Sequence, residues 1–129
     1  MTKKQILIIA LIIPSTALVA GCIAAAVGVG AVGTVAYIRG DLEVMEAVSL
    51  DKVYNAAVKA VAELELRETG KTKDVLTATI TARDAENKKV NIKLSAQEAQ
   101  ITKISIRIGT FGNETKSRRI YEQIKKNLQ

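Results

Sequence analysis

The side chains that could do covalent or acid–base chemistry are few in this sequence, and one cysteine stands out among them. The chain has 129 residues, a single cysteine, Cys22, and no histidine, which is the commonest general base and metal ligand. Acidic pairs occur at Asp41 with Glu43 and at Asp84 with Glu86, but acids in turns and at strand edges are usually solvated. The sequence therefore predicts no enzyme, no cofactor and no metal site, and it directs attention to Cys22.

Cys22 ends a segment that has the layout of a secretory signal. Lys3 and Lys4 precede an apolar run over residues 6–20, and small residues follow the run. The sequence Val19-Ala20-Gly21-Cys22 resembles the bacterial lipobox. That resemblance implies a diacylglyceryl group on the Cys22 thiol, cleavage between Gly21 and Cys22, and acylation of the new amine. We therefore expect a signal peptide over residues 1–21 and a lipid-anchored mature protein.

Two other interpretations of this segment stay open. Residues 6–20 fall short of the ~20 apolar residues of a transmembrane helix, yet no charged residue occurs over residues 5–38. An uncleaved anchor in the inner membrane is therefore an alternative, and a cysteine buried in a core helix is a third. We favour the lipoprotein because the only cysteine falls at the lipobox position. Since Ile23 follows it, rather than an aspartate, we expect the outer membrane, facing the periplasm.

Charge and length limit the other function classes. The formal net charge is +6, and Lys3 and Lys4 would be lost with the signal, so the mature domain is mildly basic. Nucleic-acid binding would need more charge and an access that an exported protein lacks. Attraction of a cationic face to anionic lipid headgroups is a simpler explanation of this charge than nucleic-acid binding. One cysteine excludes an internal disulfide, and the mature length suits one modest core.

Residues 22–38 are rich in glycine and alanine and contain a glycine motif. Gly28, Gly30 and Gly33 match the spacing of a dinucleotide-binding fingerprint, but that motif must follow a strand and open a helix inside a βαβ unit. Small residues four apart also let apolar helices approach closely. One expectation is therefore that this segment enters the membrane beside the lipid or self-associates. A flexible tether is the alternative. We expect a single folded domain over residues 39–129.

Strand patterns dominate that domain. Residues 41–49 alternate imperfectly, whereas residues 75–83, 89–94 and 101–108 alternate apolar and polar side chains clearly. Residues 66–69 form a weaker candidate strand before a polar turn. The residues predicted to face inward on the clear strands are Leu76, Ala78, Ile80, Ala82, Val90, Ile92, Leu94, Ile104, Ile106 and Ile108.

Two amphipathic helices are predicted. The first begins after Ser49, a good N-cap residue, and the second covers residues 114–128 after a cap at Thr110 or Asn113. The order is therefore β-α-β-β-β-β-α with four to five strands. It predicts an α+β fold in which two helices cover an antiparallel sheet.

Phe111 stands between two glycines, Gly109 and Gly112, in the loop before the second helix. We favour the interpretation in which Phe111 plugs the core and the glycines form the turn. The alternative is a contact loop in which Phe111 is exposed beside a basic patch. That patch would consist of Arg107, Arg118 and Arg119.

The whole chain resembles a set of small bacterial lipoproteins classed as domain-of-unknown-function family thirty-five sixty-eight. The resemblance rests on the lipobox, on the spacer and on four segments: Tyr37-Ile-Arg-Gly-Asp-Leu-Glu43, Ser49-Leu-Asp-Lys-Val-Tyr-Asn-Ala-Ala57, Thr81-Ala-Arg-Asp-Ala-Glu-Asn-Lys-Lys-Val90, and Ser105-Ile-Arg-Ile-Gly-Thr-Phe-Gly-Asn113 with Ser117-Arg-Arg-Ile120 after it. It implies localisation and fold but no catalytic residue. We expect a structural or interaction lipoprotein of the cell envelope, or alternatively a lipid-anchored module that binds an anionic ligand or a lipid headgroup.

Overall fold

Six strands and two helices form residues 32–129, the range that the computed structural model describes. In chain order they are β1 (Val35–Ile38), β2 (Asp41–Glu46), α1 (Leu50–Glu63), β3 (Arg67–Lys73), β4 (Thr77–Arg83), β5 (Lys89–Glu98), β6 (Ile101–Ile108) and α2 (Glu114–Leu128). The predictions for the signal, Gly21, Cys22, Gly28 and Gly30 lie outside the described residues. Gly33 lies inside them, where it adopts a φ of 83°.

All neighbouring strands are antiparallel, and they form one open sheet in the order β1-β2-β6-β5-β4-β3. The segment with α1 carries the chain from β2 to the far edge at β3, and strands β3 to β6 then return as a meander. The predicted α+β class, with an antiparallel sheet and two helices, is confirmed. The sheet has six strands rather than four or five.

The additional strand is β1, which lies in the segment that the sequence assigned to the tether. It pairs with β2 through a two-residue turn, Arg39-Gly40, between the paired residues Ile38 and Asp41. The φ angles of the turn are 53° and 90°, as a type I′ hairpin turn requires. The uniform apolar composition before Arg39 hides this strand because it shows no alternation. The compact unit accordingly runs from Val32 to Gln129.

The weak candidate strand is also present, as β3, and it includes most of the predicted polar turn. Every residue of β3 is exposed because the strand forms one edge of the sheet, so burial imposes no alternation on its sequence. Lysines on such an edge discourage pairing with another chain, and Lys71 and Lys73 lie there. The turn after β3 leaves Val75 and Leu76 exposed at 90% and 63%, so the inward placement predicted for Leu76 is wrong.

One face of the sheet carries the core, and the two helices cover it. Ile106 lies mid-strand in β6 and is fully buried, as the alternation predicts. Helices α1 and α2 contact each other and the strands through their apolar stripes. The fully buried large aliphatic side chains are Leu42, Val44, Val53, Val61, Ile80, Val90, Ile92, Leu94, Ile104, Ile106 and Ile124.

The helix starts differ in how they are capped. Ser49 occupies the N-cap position of α1, but its side chain makes no capping hydrogen bond. Asn113 caps α2, because its Oδ1 accepts the backbone N–H of Lys116 at 3.0 Å. Thus Asn113, rather than Thr110, fixes where the second helix leaves the loop that contains Phe111.

The strand registers define two opposite ends of the sheet. The Phe111 end contains the β1–β2 turn, the β4–β5 turn (residues 84–88) and the loop 109–113 between β6 and α2. The Val75 end contains the β3–β4 turn, the β5–β6 turn and the start of β1. The described chain therefore begins at the Val75 end.

Candidate functional site

Loop 109–113 is held against the β1–β2 turn by two glycines whose backbones touch. Gly40 and Gly112 have φ angles of 90° and 82°. A Cβ at Gly112 would lie 2.6 Å from the hydroxyl of Tyr37, and a Cβ at Gly40 would lie 2.7 Å from the carbonyl oxygen of Phe111. Only glycine fits both positions without displacement, so the contact fixes the path of the loop.

The side chain of Arg107 joins the same two segments. Its Nη1 donates to the carbonyl of Arg39 at 2.8 Å and approaches Oδ1 of Asp41 at 3.4 Å. Its Nη2 donates to the carbonyl of Thr110. The guanidinium thus clamps the loop to the turn, as its fork of fixed donors allows. Arg107 is a positioning residue here as well as a source of positive charge.

Phe111 is 90% exposed, so the prediction that it plugs the core is wrong. The core at this end is already closed by Ile108 and Ile120, which are 2% and 4% exposed. Gly109 and Gly112, both with positive φ, turn the loop so that Phe111 lies outside. The structure therefore agrees with the alternative in which this loop presents its aromatic side chain to solvent.

A cleft with a volume of about 680 Å³ lies beside this loop. Its basic lining residues are Arg83, Lys88, Lys89 and Arg107, and Asn91 adds an amide. No carboxylate lines it among the residues that the structure describes. The lining joins loop 109–113 to the face of the sheet that the helices leave open. The cleft therefore combines positive charge with an exposed phenyl ring.

The two acidic residues of the neighbouring β4–β5 turn, Asp84 and Glu86, both pair with Lys116 on α2. Oδ1 of Asp84 accepts the backbone N–H groups of Glu86 and Lys88 at 2.9 and 2.8 Å, and its Oδ2 lies 3.1 Å from Nζ of Lys116. Nζ of Lys116 also lies 3.2 Å from Oε2 of Glu86. Asp84 is therefore directed to the helix side, whereas Glu86 lies between Lys116 and Lys88 of the cleft, whose Nζ is 3.5 Å from Oε2 of Glu86.

The two charged partners affect each other's protonation. Burial disfavours the charged form of Asp84, but the backbone hydrogen bond from Lys88 and the bond and charge of Lys116 outweigh it and lower the pKa of Asp84. The hydrogen bonds to Asp84 and Glu86 raise the pKa of Lys116. Both residues are therefore charged at neutral pH, and the pair anchors the turn to α2.

Next to the cleft, three basic residues form a row across the open face. Arg67 on β3 lies directly opposite Arg83 on β4, and Arg83 lies directly opposite Lys89 on β5. Oδ1 of Asn87 accepts from Arg67 at 3.2 Å, and the carbonyl of Asn87 accepts from Arg83 at 3.1 Å. Among the described residues, none of the three basic side chains forms an ion pair within 4.0 Å. We call Arg67, Arg83 and Lys89 the basic row.

Sequence reasoning missed the basic row. Arg83 and Lys89 occupy polar positions of two alternating strands, on either side of a short turn, which is a signal that they face each other on the open side. Arg67 could not be placed from the pattern, because β3 shows no alternation and contains a bulge between Glu68 and Gly70.

Of the basic residues predicted to surround Phe111, only Arg107 lies at its cleft. Arg118 is exposed on α2 and donates to Oε1 of Glu114 at 2.8 Å. Arg119 lines a separate cavity of about 210 Å³ between α2 and the β4–β5 turn. The predicted patch of three arginines is therefore divided, because α2 runs along the covered side of the sheet.

Other kinds of site have little support within residues 32–129. No group of three or more acidic, cysteine or histidine side chains there could hold a metal ion. The hydroxyl of Tyr121 donates to Oε1 of Glu46, and burial, followed by that bond, raises the pKa of Tyr121. A buried, neutral tyrosine of this kind stabilises the packing of α2 on β2. No helix within this range is long and apolar enough to span a membrane.

Fold and site together define a small α+β domain in which two helices cover one face of an antiparallel sheet and the other face is basic. The chain belongs to the family described as Protein of unknown function (DUF3568), whose model matches residues 5–127. A comparison with curated proteins gave no match. The match extends into the segment before residue 32 and covers Cys22.

Proposed function

We propose that the protein is a bacterial cell-envelope lipoprotein whose folded domain has an interaction or structural role rather than a catalytic one. Support for the anchor comes from the sequence: Lys3 and Lys4, the apolar run and Val19-Ala20-Gly21 before the only cysteine, Cys22. The proposed location is the outer membrane, facing the periplasm. The proposed partners are the membrane and an envelope protein or a second copy.

The observation that carries the interaction role is the exposed Phe111 on a fixed loop. Leaving a phenyl ring 90% exposed forgoes burial of a large apolar side chain. The Gly40–Gly112 contact and the Arg107 clamp hold the loop in one arrangement. A rigid loop with an exposed aromatic side chain suits binding, because little conformational entropy remains to be lost. No nucleophile–base pair is needed for that role.

A second candidate function is the binding of an anionic ligand or a lipid headgroup. It is favoured by the basic lining of the 680 Å³ cleft and by the absence of a carboxylate from that lining within the described residues. Arg and Lys side chains provide charge-assisted hydrogen bonds to phosphate and carboxylate groups. This function is compatible with the first, since a lipid-anchored module can bind an anionic partner in the envelope.

The anchor is tested by replacing Cys22 with serine in the full chain. We expect wild-type protein to incorporate labelled fatty acid and to show an acylated Cys22 at the mature N-terminus by mass spectrometry. Cys22→Ser should leave an unprocessed precursor without label. Normal processing of the variant would overturn the lipoprotein proposal. Recovery of the wild type only with inner-membrane markers would overturn the outer-membrane location.

A further inference from the structure

The like charges of the basic row repel one another in the isolated domain. Like charges placed directly opposite each other on neighbouring strands repel, and Arg83 faces both Arg67 and Lys89. Asn87 offers oxygen atoms to two of them but no charge. The two carboxylates of the adjacent turn pair with residues outside the row: Asp84 with Lys116, and Glu86 with Lys116 and Lys88. The row therefore retains a positive potential that a bound anion would neutralise.

The positive charge extends over the open face as a whole. The strand registers place six basic and three acidic residues there: Arg67, Arg83, Lys89, Lys93, Lys103 and Arg107, against Asp41, Glu43 and Glu98. Asp41 and Glu43 form ion pairs with Arg107 and Lys103. The excess charge is thus concentrated on the basic row and Lys93, on the side to which the cleft opens.

Two apolar side chains lie beside this charge. Phe111 lines the cleft together with Lys89, Asn91 and Arg107, which occupy open-face positions of β5 and β6. Ile38, on β1 opposite Asp41, is 50% exposed. A basic surface with protruding apolar residues has the chemistry of a membrane-surface contact, in which cations meet phosphates and rings enter the interface.

We infer that the open face docks on the anionic phospholipid surface of the membrane that holds the anchor, with the basic row at headgroup phosphates and Phe111 in the interface. This inference rests on the lipid anchor of the proposed function. We choose a surface over a single small anion because the basic residues are spread from β3 to β6. Three strand spacings of about 4.8 Å each separate those strands, so one phosphate cannot contact them all.

The chain between Cys22 and the folded domain is long enough for the open face of the sheet to lie on the membrane that holds the anchor. Nine residues separate Cys22 from Val32, so the ten steps of chain between them span at most about 36 Å. That reach is similar to the length of the longest strand, since the ten residues of β5 extend over about 33 Å. The helix side also carries exposed basic residues, Arg119, Lys125 and Lys126 on α2. It is a poorer candidate surface because neither α1 nor α2 exposes a large apolar side chain that could enter the interface.

The test uses the natural absence of tryptophan from the chain. The full-length protein carrying Phe111→Trp is placed, through its own anchor, in vesicles of phosphatidylcholine alone or mixed equally with phosphatidylglycerol. Some of the phosphatidylcholine carries bromine on its acyl chains. Phe111→Trp should show blue-shifted, bromine-quenched emission in the anionic vesicles only, and high salt should reverse it. Val75→Trp, at the other end of the sheet, should stay unquenched.

Charge variants test whether docking depends on the basic row or only on the net charge of the protein. Adding Arg83→Gln and Lys89→Gln to Phe111→Trp should lower the ratio of docked to undocked protein about 25-fold, at about fivefold for each basic residue near an anionic surface. Lys125→Gln with Lys126→Gln removes the same charge from exposed positions on α2 and should change the ratio little. Equal losses in both pairs would overturn the assignment to the row.

Three further outcomes would overturn the inference. The first is quenching of Val75→Trp instead of Phe111→Trp, and the second is no quenching of Phe111→Trp in anionic vesicles. The third is release of the docked domain by millimolar inorganic phosphate at constant ionic strength, which would indicate a site for a free phosphate. Mass spectrometry of Cys22 in the same samples separates a failed docking inference from a failed anchor. If Cys22 is acylated but Phe111→Trp is unquenched, only the docking inference fails.

Discussion

On the covered face of the sheet, aliphatic side chains of the strands pack against the two helices, whereas the same strands carry charged and hydroxyl side chains on their open face. Ile106 and Arg107 are adjacent on β6 and illustrate the contrast, since one is fully buried and the other clamps a loop at the surface. Burial alone explains the covered face. The open face contains a row of like charges that burial does not explain, which is why we propose binding on that face.

The largest loss of stability should follow from shortening a buried side chain on the covered face of the sheet. Ile106→Ala removes a fully buried side chain, and such changes cost ~2–5 kcal/mol, a large part of the ~5–15 kcal/mol of a typical domain. Urea unfolding should therefore show a much lower midpoint. Arg119→Ala, at an exposed position on α2, should stay within about 0.5 kcal/mol of wild type. Equal losses would mean that Arg119 is part of a site.

A smaller loss of stability should follow from a substitution at Gly112, where loop 109–113 contacts the β1–β2 turn. Gly112→Ala introduces a Cβ at a φ of 82° and 2.6 Å from the Tyr37 hydroxyl, so we expect a loss of ~1–3 kcal/mol. Gly70→Ala is the matched control, because no atom lies within 4 Å of its added Cβ. A neutral Gly112→Ala would show that the loop can move, and would weaken the argument that Phe111 is held in place.

The Asp84–Lys116 pair predicts a pH dependence with a defined sign. The folded-state pKa of Asp84 is lowered from 3.8, so its contribution to stability is fully present above that value and is lost as the pH falls through the lower, folded-state pKa. Asp84→Asn should therefore be less stable than wild type at neutral pH, and the difference should shrink in acid. Unfolding midpoints measured from pH 7 to pH 2 test this. A constant difference would contradict the pairing.

The sequence predicts the parts of the fold in which burial imposes a pattern. Strands β4 to β6 and both helices follow from their alternation and stripes, and the N-cap of α2 is Asn113, one of the two candidates that the sequence offers. Strands β1 and β3 are at the sheet edges, where one neighbour is missing and the burial pattern is weak. Strand β1 therefore lies in a uniformly apolar segment and β3 in a polar one, and neither shows the alternation that would predict a strand.

The candidate site is harder to predict because it depends on contacts between distant segments. The sequence favours a buried Phe111. Its exposure depends on the Gly40–Gly112 contact and on strand β1, and the sequence reveals neither of them. Arg118 and Arg119 are close to Phe111 in sequence, but α2 carries them to the other side of the sheet. The basic row combines residues from three strands, and its member on β3 has no pattern to place it.

The smallest effect, and the sharpest test of the contrast between the two faces, should come from Arg83→Gln. This change removes repulsion from Arg67 and Lys89, worth ~0.2–1 kcal/mol for an opposed pair, and loses an exposed hydrogen bond to Asn87 of ~0.5–1.5 kcal/mol. The two terms nearly cancel, so unfolding at low salt should differ from wild type by about 0.5 kcal/mol or less.

Lys116→Gln removes the same unit of charge from the helix side and serves as the matched comparison for Arg83→Gln. It leaves Asp84, whose side chain is 10% exposed, without its charged partner, so it should destabilise the domain more than Arg83→Gln does. If the two variants lose stability equally, Arg83 has a structural role comparable to that of Lys116. If Arg83→Gln is neutral while docking on anionic vesicles is lost, the arginine contributes to binding rather than to the fold.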